Sequence, residues 1–79
     1  MSGVLLVEGG KTLDVFDVVE VTDTLLRVRT AFLFELGEEL RVRLDENGKA
    51  FEVPARVTAH VGNGDDKITE LELGERTAL

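Results

Sequence analysis

Apolar residues alternate with polar or charged residues along most of this chain, and this period of two restricts its fold more than any other feature. The clearest case is Leu40, Val42 and Leu44, which alternate with Arg41 and Arg43. Successive side chains of a strand point to opposite faces, so the pattern predicts strands with one buried face. Eleven valines and seven threonines agree with this, because β-branched side chains suit a pleated surface.

Turn residues divide the alternating pattern into six predicted strands. Asn47-Gly48 is the strongest hairpin signal, since both residues tolerate a positive φ. We expect a bulge or bend near Asp17, and an edge or bulge at Pro54, which has no N–H group. The predicted strands are 3–7, 12–22, 25–31, 39–45, 50–61 and 68–73, with a polar turn at 62–67.

Six short strands with one apolar face each predict an all-β fold, a small six-stranded antiparallel β-barrel, because closure hides the strand edges. The length of 79 residues suits one domain, residues 1–79. We expect residues 74–79 to be a loose end, as chain termini often are.

Composition excludes several classes of function. The chain has no cysteine, one histidine and one serine, so we expect no thiol chemistry, no metal site, no cofactor and no enzymatic activity. A net charge of −7 disfavours binding to nucleic acid or an anionic membrane. The longest apolar run, 4–7, is far too short for a membrane span, and the N-terminus has no signal-peptide pattern, so we expect a cytoplasmic protein.

Arginines occupy outward positions on several predicted strands. One interpretation is a surface for an anionic small ligand, formed by Arg27, Arg29 and Arg41, because guanidinium groups suit phosphate recognition. The other interpretation is a set of cross-strand ion pairs, which is common on a solvated strand face. The glutamates that fit this second interpretation are Glu20, Glu52 and Glu70.

The segment 32–36 concentrates apolar side chains between two predicted strands. In strand geometry Phe32, Phe34 and Leu36 would face the core and Leu33 would face outward. These residues either close one end of the barrel or form an apolar patch for a partner protein or a second copy of the chain. We predict partner binding by Phe32, Leu33, Phe34 and Leu36, with the arginines at positions 41 and 43 on the flank.

The middle of the chain carries the pattern L-G-x-x-L-x-V-x-L at 36–44, then the V-x-A-x-V strand at 53–57 and the strand at 68–73. This arrangement resembles the second half of a PilZ domain, within a similar layout over residues 13–73. PilZ domains are six-stranded β-barrels that typically bind cyclic di-GMP. The resemblance therefore implies a bacterial signalling role.

Two motifs that hold cyclic di-GMP in that family have no counterpart here. Residues 1–12 contain no arginine, where the family has Arg-x-x-x-Arg. The segment 21–26 has neither the serine nor the glycine of the second motif. We therefore expect a PilZ-like adaptor that contacts other proteins, in signalling or motility, and does not bind cyclic di-GMP. The alternative is a sensor for a cyclic dinucleotide or another anionic small ligand.

Overall fold

The computed structural model of the chain describes residues 3–62 and 67–79, and strands are the regular structure of this part. None of these residues forms a helix of the length and apolar character that crossing a membrane requires. Four residues of the turn predicted at 62–67 lie outside the described residues. The eight strands are β1 (Gly3–Glu8), β2 (Lys11–Leu13), β3 (Asp17–Val21), β4 (Leu25–Arg29), β5 (Glu39–Glu46), β6 (Lys49–Val61), β7 (Ile68–Leu73) and β8 (Thr77–Ala78).

The strands form one antiparallel sheet in the order β2-β1-β5-β6-β7-β4-β3, and β8 pairs with β6. The all-β prediction is confirmed. The six-stranded closed barrel is not confirmed, because there are eight strands and no ladder joins β2 to β3 within 3–62 and 67–79.

The two end strands of the sheet are nevertheless neighbours along the chain. β2 and β3 are the halves of the strand predicted at 12–22, and three residues, 14–16, separate them. The break directly precedes Asp17, where a bend was predicted, and it carries Phe16 into the core. The four Cα–Cα steps from the last residue of β2 to the first residue of β3 span at most about 14 Å. The sheet must therefore curl until its two end strands approach each other.

The core lies on the inner face of this curled sheet and follows the predicted alternation. In β5, Val42 and Leu44 are buried, and in β4 the same holds for Leu26 and Val28. Polar and charged neighbours of these residues face outward, which is how one sheet encloses an apolar interior. The thirteen buried apolar residues are Val4, Leu6, Phe16, Leu26, Val28, Phe34, Val42, Leu44, Val53, Ala55, Val57, Leu71 and Leu73.

The hairpin between β5 and β6 forms where Asn47-Gly48 predicts it. Asn47 has φ 51° and Gly48 has φ 79°, which are the positive values that a two-residue hairpin turn requires. The flanking residues Glu46 and Lys49 are paired. This turn sets the register of the longest ladder in the sheet.

A bulge in β6 reverses the inward–outward alternation of the side chains at the end of this strand. The register against β7 shifts between Val57 and Ala59, so one extra residue enters β6 at this point. The regular alternation would place Val61 inward and His60 outward. Instead Val61 is 43% exposed, and His60 is half-buried beside the buried Thr69.

Pro54 lies inside β6, at a position where its missing N–H group leaves the ladder with β5 intact. Gly74 N donates to the carbonyl oxygen of Pro54 at 2.8 Å, so the backbone of Pro54 faces the gap between β7 and β8. A residue's N and C=O point to the same side of a strand, and the proline ring therefore points at Gly74. A Cβ atom at position 74 would lie 2.8 Å from Pro54 Cγ.

The C-terminal residues 74–79 are paired with the sheet, which differs from the loose end expected. β8 pairs with Phe51 and Glu52, and Leu79 N donates to Ala50 O at 3.0 Å. Arg76 Nη1 lies 3.0 Å from Glu46 Oε2, and its guanidinium carbon lies 5.5 Å from the centre of the Phe51 ring. Arg76 Nη2 also lies 3.5 Å from Asp23 Oδ1. Backbone pairing and the two ion pairs of Arg76 thus hold a segment that is too short for a sequence period to be recognised.

Candidate functional site

The connection between β4 and β5, which we call loop 30–38, exposes a group of large apolar side chains. Leu33 is 80% exposed, Leu36 is 66% exposed and Phe32 is 50% exposed. Strand geometry would turn Phe32 and Leu36 toward the core, and here both are exposed. The segment forms no strand, so the period of two does not apply to it.

Phe34 is the exception within this loop and corrects the predicted partner-binding set. It is 8% exposed and belongs to the core, so it cannot offer a partner its ring. Its ring centre lies 6.2 Å from that of Phe16 and 6.1 Å from that of Phe32. Phe34 therefore attaches the loop to the core, and the ring of Phe32 packs on the solvent side of the Phe34 ring.

Backbone hydrogen bonds fasten the second half of the loop to β6. Gly37 N donates to Val57 O at 2.7 Å, and Val57 N donates to Glu38 O at 2.9 Å. Glu38 N donates to Glu35 O at 3.1 Å, which closes a turn with Gly37 as its third residue. Gly37 has φ 82°, a value that this turn needs and that glycine adopts without strain. The exposed Leu36 thus stands on a fixed turn.

His60 fastens the first half of the loop. Its Nε2 lies 2.8 Å from the carbonyl oxygen of Phe34, and its Nδ1 lies 3.3 Å from Thr69 Oγ1. A carbonyl can only accept, so Nε2 carries the hydrogen and Nδ1 accepts from the hydroxyl group. The sequence did not indicate this role, because regular alternation predicted a solvated His60. The bulge between Val57 and Ala59 turns it toward the loop.

A groove of about 870 Å³, which we call the loop groove, runs beside loop 30–38. Leu33 stands at one side of it, and Leu40, Pro54 and Ala55 contribute apolar surface. Its charged lining consists of four carboxylates and two guanidinium groups, so it is negative on balance. These charged residues are Glu8, Glu38, Glu39, Glu72, Arg41 and Arg56.

The predicted flank of the partner surface divides between two places. Arg41 lines the loop groove, whereas Arg43 does not. Arg43 lies one outward position further along β5, where its Nε is 3.3 Å from Asp45 Oδ1. Arg41 is therefore the arginine of the pair that a molecule in the groove would meet.

The arginines on the outer face are paired with carboxylates on neighbouring strands. Arg27 Nε lies 2.9 Å from Glu70 Oε2, and its Nη1 lies 3.4 Å from Glu20 Oε1. Arg41 Nη1 lies 3.3 Å from Glu52 Oε1. These are the three glutamates that the ion-pair interpretation named.

The arginines of the ligand-binding alternative do not converge on one site. Arg27 and Arg29 lie on β4, and Arg41 lies on β5, with β6 and β7 between them in the sheet. Three strand spacings amount to roughly 15 Å. Arg29 lines a second groove, of about 660 Å³, together with Asp17 and Lys67. Arg27 and Arg41 also lie beside carboxylates, which would compete with an anionic ligand for their guanidinium groups.

Within residues 3–62 and 67–79, no three His, Asp or Glu side chains are grouped as metal ligands would be. None of three comparisons, with protein-family models, with curated proteins and with solved structures, returns a match to the chain.

Proposed function

We propose that this chain is a non-catalytic protein–protein interaction module, a PilZ-like adaptor that acts in bacterial signalling or motility without binding cyclic di-GMP. The observation that carries this proposal is loop 30–38, which holds Phe32, Leu33 and Leu36 in solvent on a backbone fixed to β6. Exposed apolar side chains in one place are typical of binding surfaces.

The backbone of the loop is fixed, which favours a role in binding over a role as a flexible link between two strands. Phe34, Gly37 and Glu38 are each tied to the sheet by packing or by a hydrogen bond. A surface that is already ordered loses less conformational entropy when a partner binds. Burial of the exposed leucines by a partner can therefore favour binding, with little loss of conformational entropy in the loop.

The PilZ-like part of the proposal depends on the sequence pattern at 36–44 and 53–57. In the structure these residues belong to loop 30–38 and to the antiparallel pair β5–β6. The proposal that cyclic di-GMP does not bind is supported by the glutamates beside Arg27 and Arg41, whose negative charge opposes a phosphate at these arginines.

The substitution Leu33→Asp tests the proposal, and Leu79→Asp is its matched control. Both leucines are largely exposed, so neither substitution should change the unfolding free energy by more than about 0.5 kcal/mol. We expect Leu33→Asp to abolish, and Leu79→Asp to preserve, the specific co-purification of partner proteins from the source cells. Sedimentation of the isolated chain tests whether that partner is a second copy.

Two results would contradict the proposal. One is capture of the same proteins, in the same amounts, by the wild type and by Leu33→Asp. The other is unfolding of Leu33→Asp at low temperature, which would place Leu33 in the core rather than at the surface.

A further inference from the structure

We propose that the loop groove binds a basic, amphipathic segment of a partner protein, with apolar side chains against the groove floor and Lys or Arg side chains against its carboxylates. This inference rests on the proposed function and names the chemistry of the partner. It follows from the shape, the lining and the charge of the groove.

The apolar part of the groove lining is held in place by the ladders of β1, β5 and β6. Val7 and Pro54 lie in one outer row of the register, with Arg41 between them. Leu40 and Ala55, one position along and therefore on the inner face, are opposite each other and also line the groove, and Ala55 is buried, so it exposes little surface there. A volume of about 870 Å³ is large enough for several side chains of one segment.

The rim of the groove is acidic, and its two arginines are already partnered. Arg41 lies 3.3 Å from Glu52, and Arg56 Nη2 lies 3.7 Å from Glu39 Oε1. Glu8 and Glu72 are exposed lining residues that form no ion pair within the described part of the chain, although Lys11 and Arg56 lie opposite them in the ladders. A cation entering the groove meets four carboxylates against two guanidinium groups, and this net negative lining attracts it.

The same charges argue against other occupants. A second copy of the chain carries a net charge of −7 and would bring its own acidic groove toward this one. An anionic small ligand or a phosphate-rich surface would meet the same repulsion. A positively charged segment is instead attracted by the net negative charge of the protein as it approaches, and salt should weaken this attraction.

A synthetic amphipathic peptide of leucine and lysine is the probe, and the same peptide with glutamate in place of lysine is its counterpart. Amide-correlation NMR of the full chain shows where each peptide binds. We expect the Leu/Lys peptide to shift the amides of Val7, Leu33, Leu40 and Ala55, with weaker binding at higher salt. The Leu/Glu peptide should leave these amides unchanged.

Glu72→Gln and Glu75→Gln form a matched pair, since both residues are exposed and both substitutions remove one negative charge. Glu72 lines the groove and Glu75 does not. We expect Glu72→Gln to weaken peptide binding by about twofold to fivefold, the range for a surface ion pair, and Glu75→Gln to weaken it by less than that. Equal effects of the two variants would show general attraction to an acidic protein and would overturn the inference.

The remaining outcomes separate this inference from the proposed function. If both peptides shift the groove amides equally, or if only the Leu/Glu peptide does, the groove binds proteins but does not select a basic segment, and this inference fails alone. If the Leu/Lys peptide shifts amides of the second groove instead, this inference also fails. If neither peptide binds and Leu33→Asp captures the same cellular proteins as the wild type, the proposed function fails as well.

Discussion

The Nε2 atom of His60 lies 2.8 Å from the carbonyl oxygen of Phe34, although 26 positions separate the two residues in the chain. This hydrogen bond joins the end of β6 to the only residue of the 32–34 run that is in the core. It therefore connects a bulge in the sheet to the position of the exposed Leu33.

Replacing His60 with leucine should release the first half of loop 30–38. The Phe34 carbonyl would lose its donor, and an unsatisfied polar group of this kind costs about 1–3 kcal/mol when buried and less when water can reach it. We expect urea unfolding to show a loss of about 1–2 kcal/mol, and faster hydrogen exchange at the Phe32 amide, which donates to Thr30 Oγ1 in the first half of the loop. His60→Gln, which keeps a donor, should recover part of the stability, and equal effects of both variants would contradict this role.

Phe34 and Phe32 should differ strongly in their contribution to stability. Phe34 is 8% exposed and packs against Phe16, whereas Phe32 is 50% exposed. We expect Phe34→Ala to cost about 3–5 kcal/mol in the free energy of unfolding, the range for a core phenylalanine, and Phe32→Ala to cost about 1 kcal/mol. Chemical denaturation measures both, and a larger loss for Phe32 would contradict the assignment of the anchor.

Gly74 should not tolerate a side chain, because the ring of Pro54 occupies the space. A Cβ atom there would lie 2.8 Å from Pro54 Cγ, so the ring or the backbone has to move. We expect Gly74→Ala to destabilise the fold by about 1–3 kcal/mol, as overpacking does. Gly3→Ala is the control, because a Cβ atom at position 3 would have no neighbour within 4 Å. A thermal melt in which both variants lose the same stability would count against the predicted clash.

Arg76 should control the pairing of β8 with β6. Its hydrogen bond with Glu46 raises the pKa of Arg76 above its usual value, which favours the charged form that the ion pair needs. We expect Arg76→Met to increase hydrogen exchange at Leu79, whose amide bonds to Ala50, and to lower stability by about 1 kcal/mol. Arg56→Met removes a more exposed ion pair with Glu39 and should leave the Leu79 amide protected. Protection that survives Arg76→Met would mean that backbone pairing alone holds the segment.

Cyclic di-GMP should leave the amide spectrum unchanged. The guanidinium groups of Arg27 and Arg41 are engaged by Glu70 and Glu52, and a phosphate would have to displace these carboxylates within an acidic protein. Shifts that cluster on Arg27, Arg29 and Arg41 would contradict this prediction and would support the anionic-ligand alternative.

Alternation in the sequence was sufficient to predict the strands that form the core. Val42, Leu44, Val53 and Val57 are buried as predicted, because β5 and the first part of β6 keep a regular register from the Asn47-Gly48 turn onward. The ion pairs of Arg27 and Arg41 with glutamates also followed from side chains that share one face of neighbouring strands.

The parts that could not be predicted depend on departures from this regularity. A single extra residue between Val57 and Ala59 inverts the faces of the residues that follow it in β6, and no residue type in that segment indicates it. In loop 30–38, the turn at Gly37 and the hydrogen bond from His60 decide that Phe34 points inward. The hydrogen bond from His60 joins residues that are 26 positions apart, so local patterns do not contain it.

Pro54 has a consequence for how the chain can come apart. Its ring faces the gap between β7 and β8, so the C-terminal region cannot form one continuous ladder along β6. Detachment of β8 can therefore stop at Gly74, while β7 keeps all of its own pairs from Ala55 to Val61. The proline thus divides the end of the sheet into two cooperative units, and the smaller one can open and close without unfolding the larger.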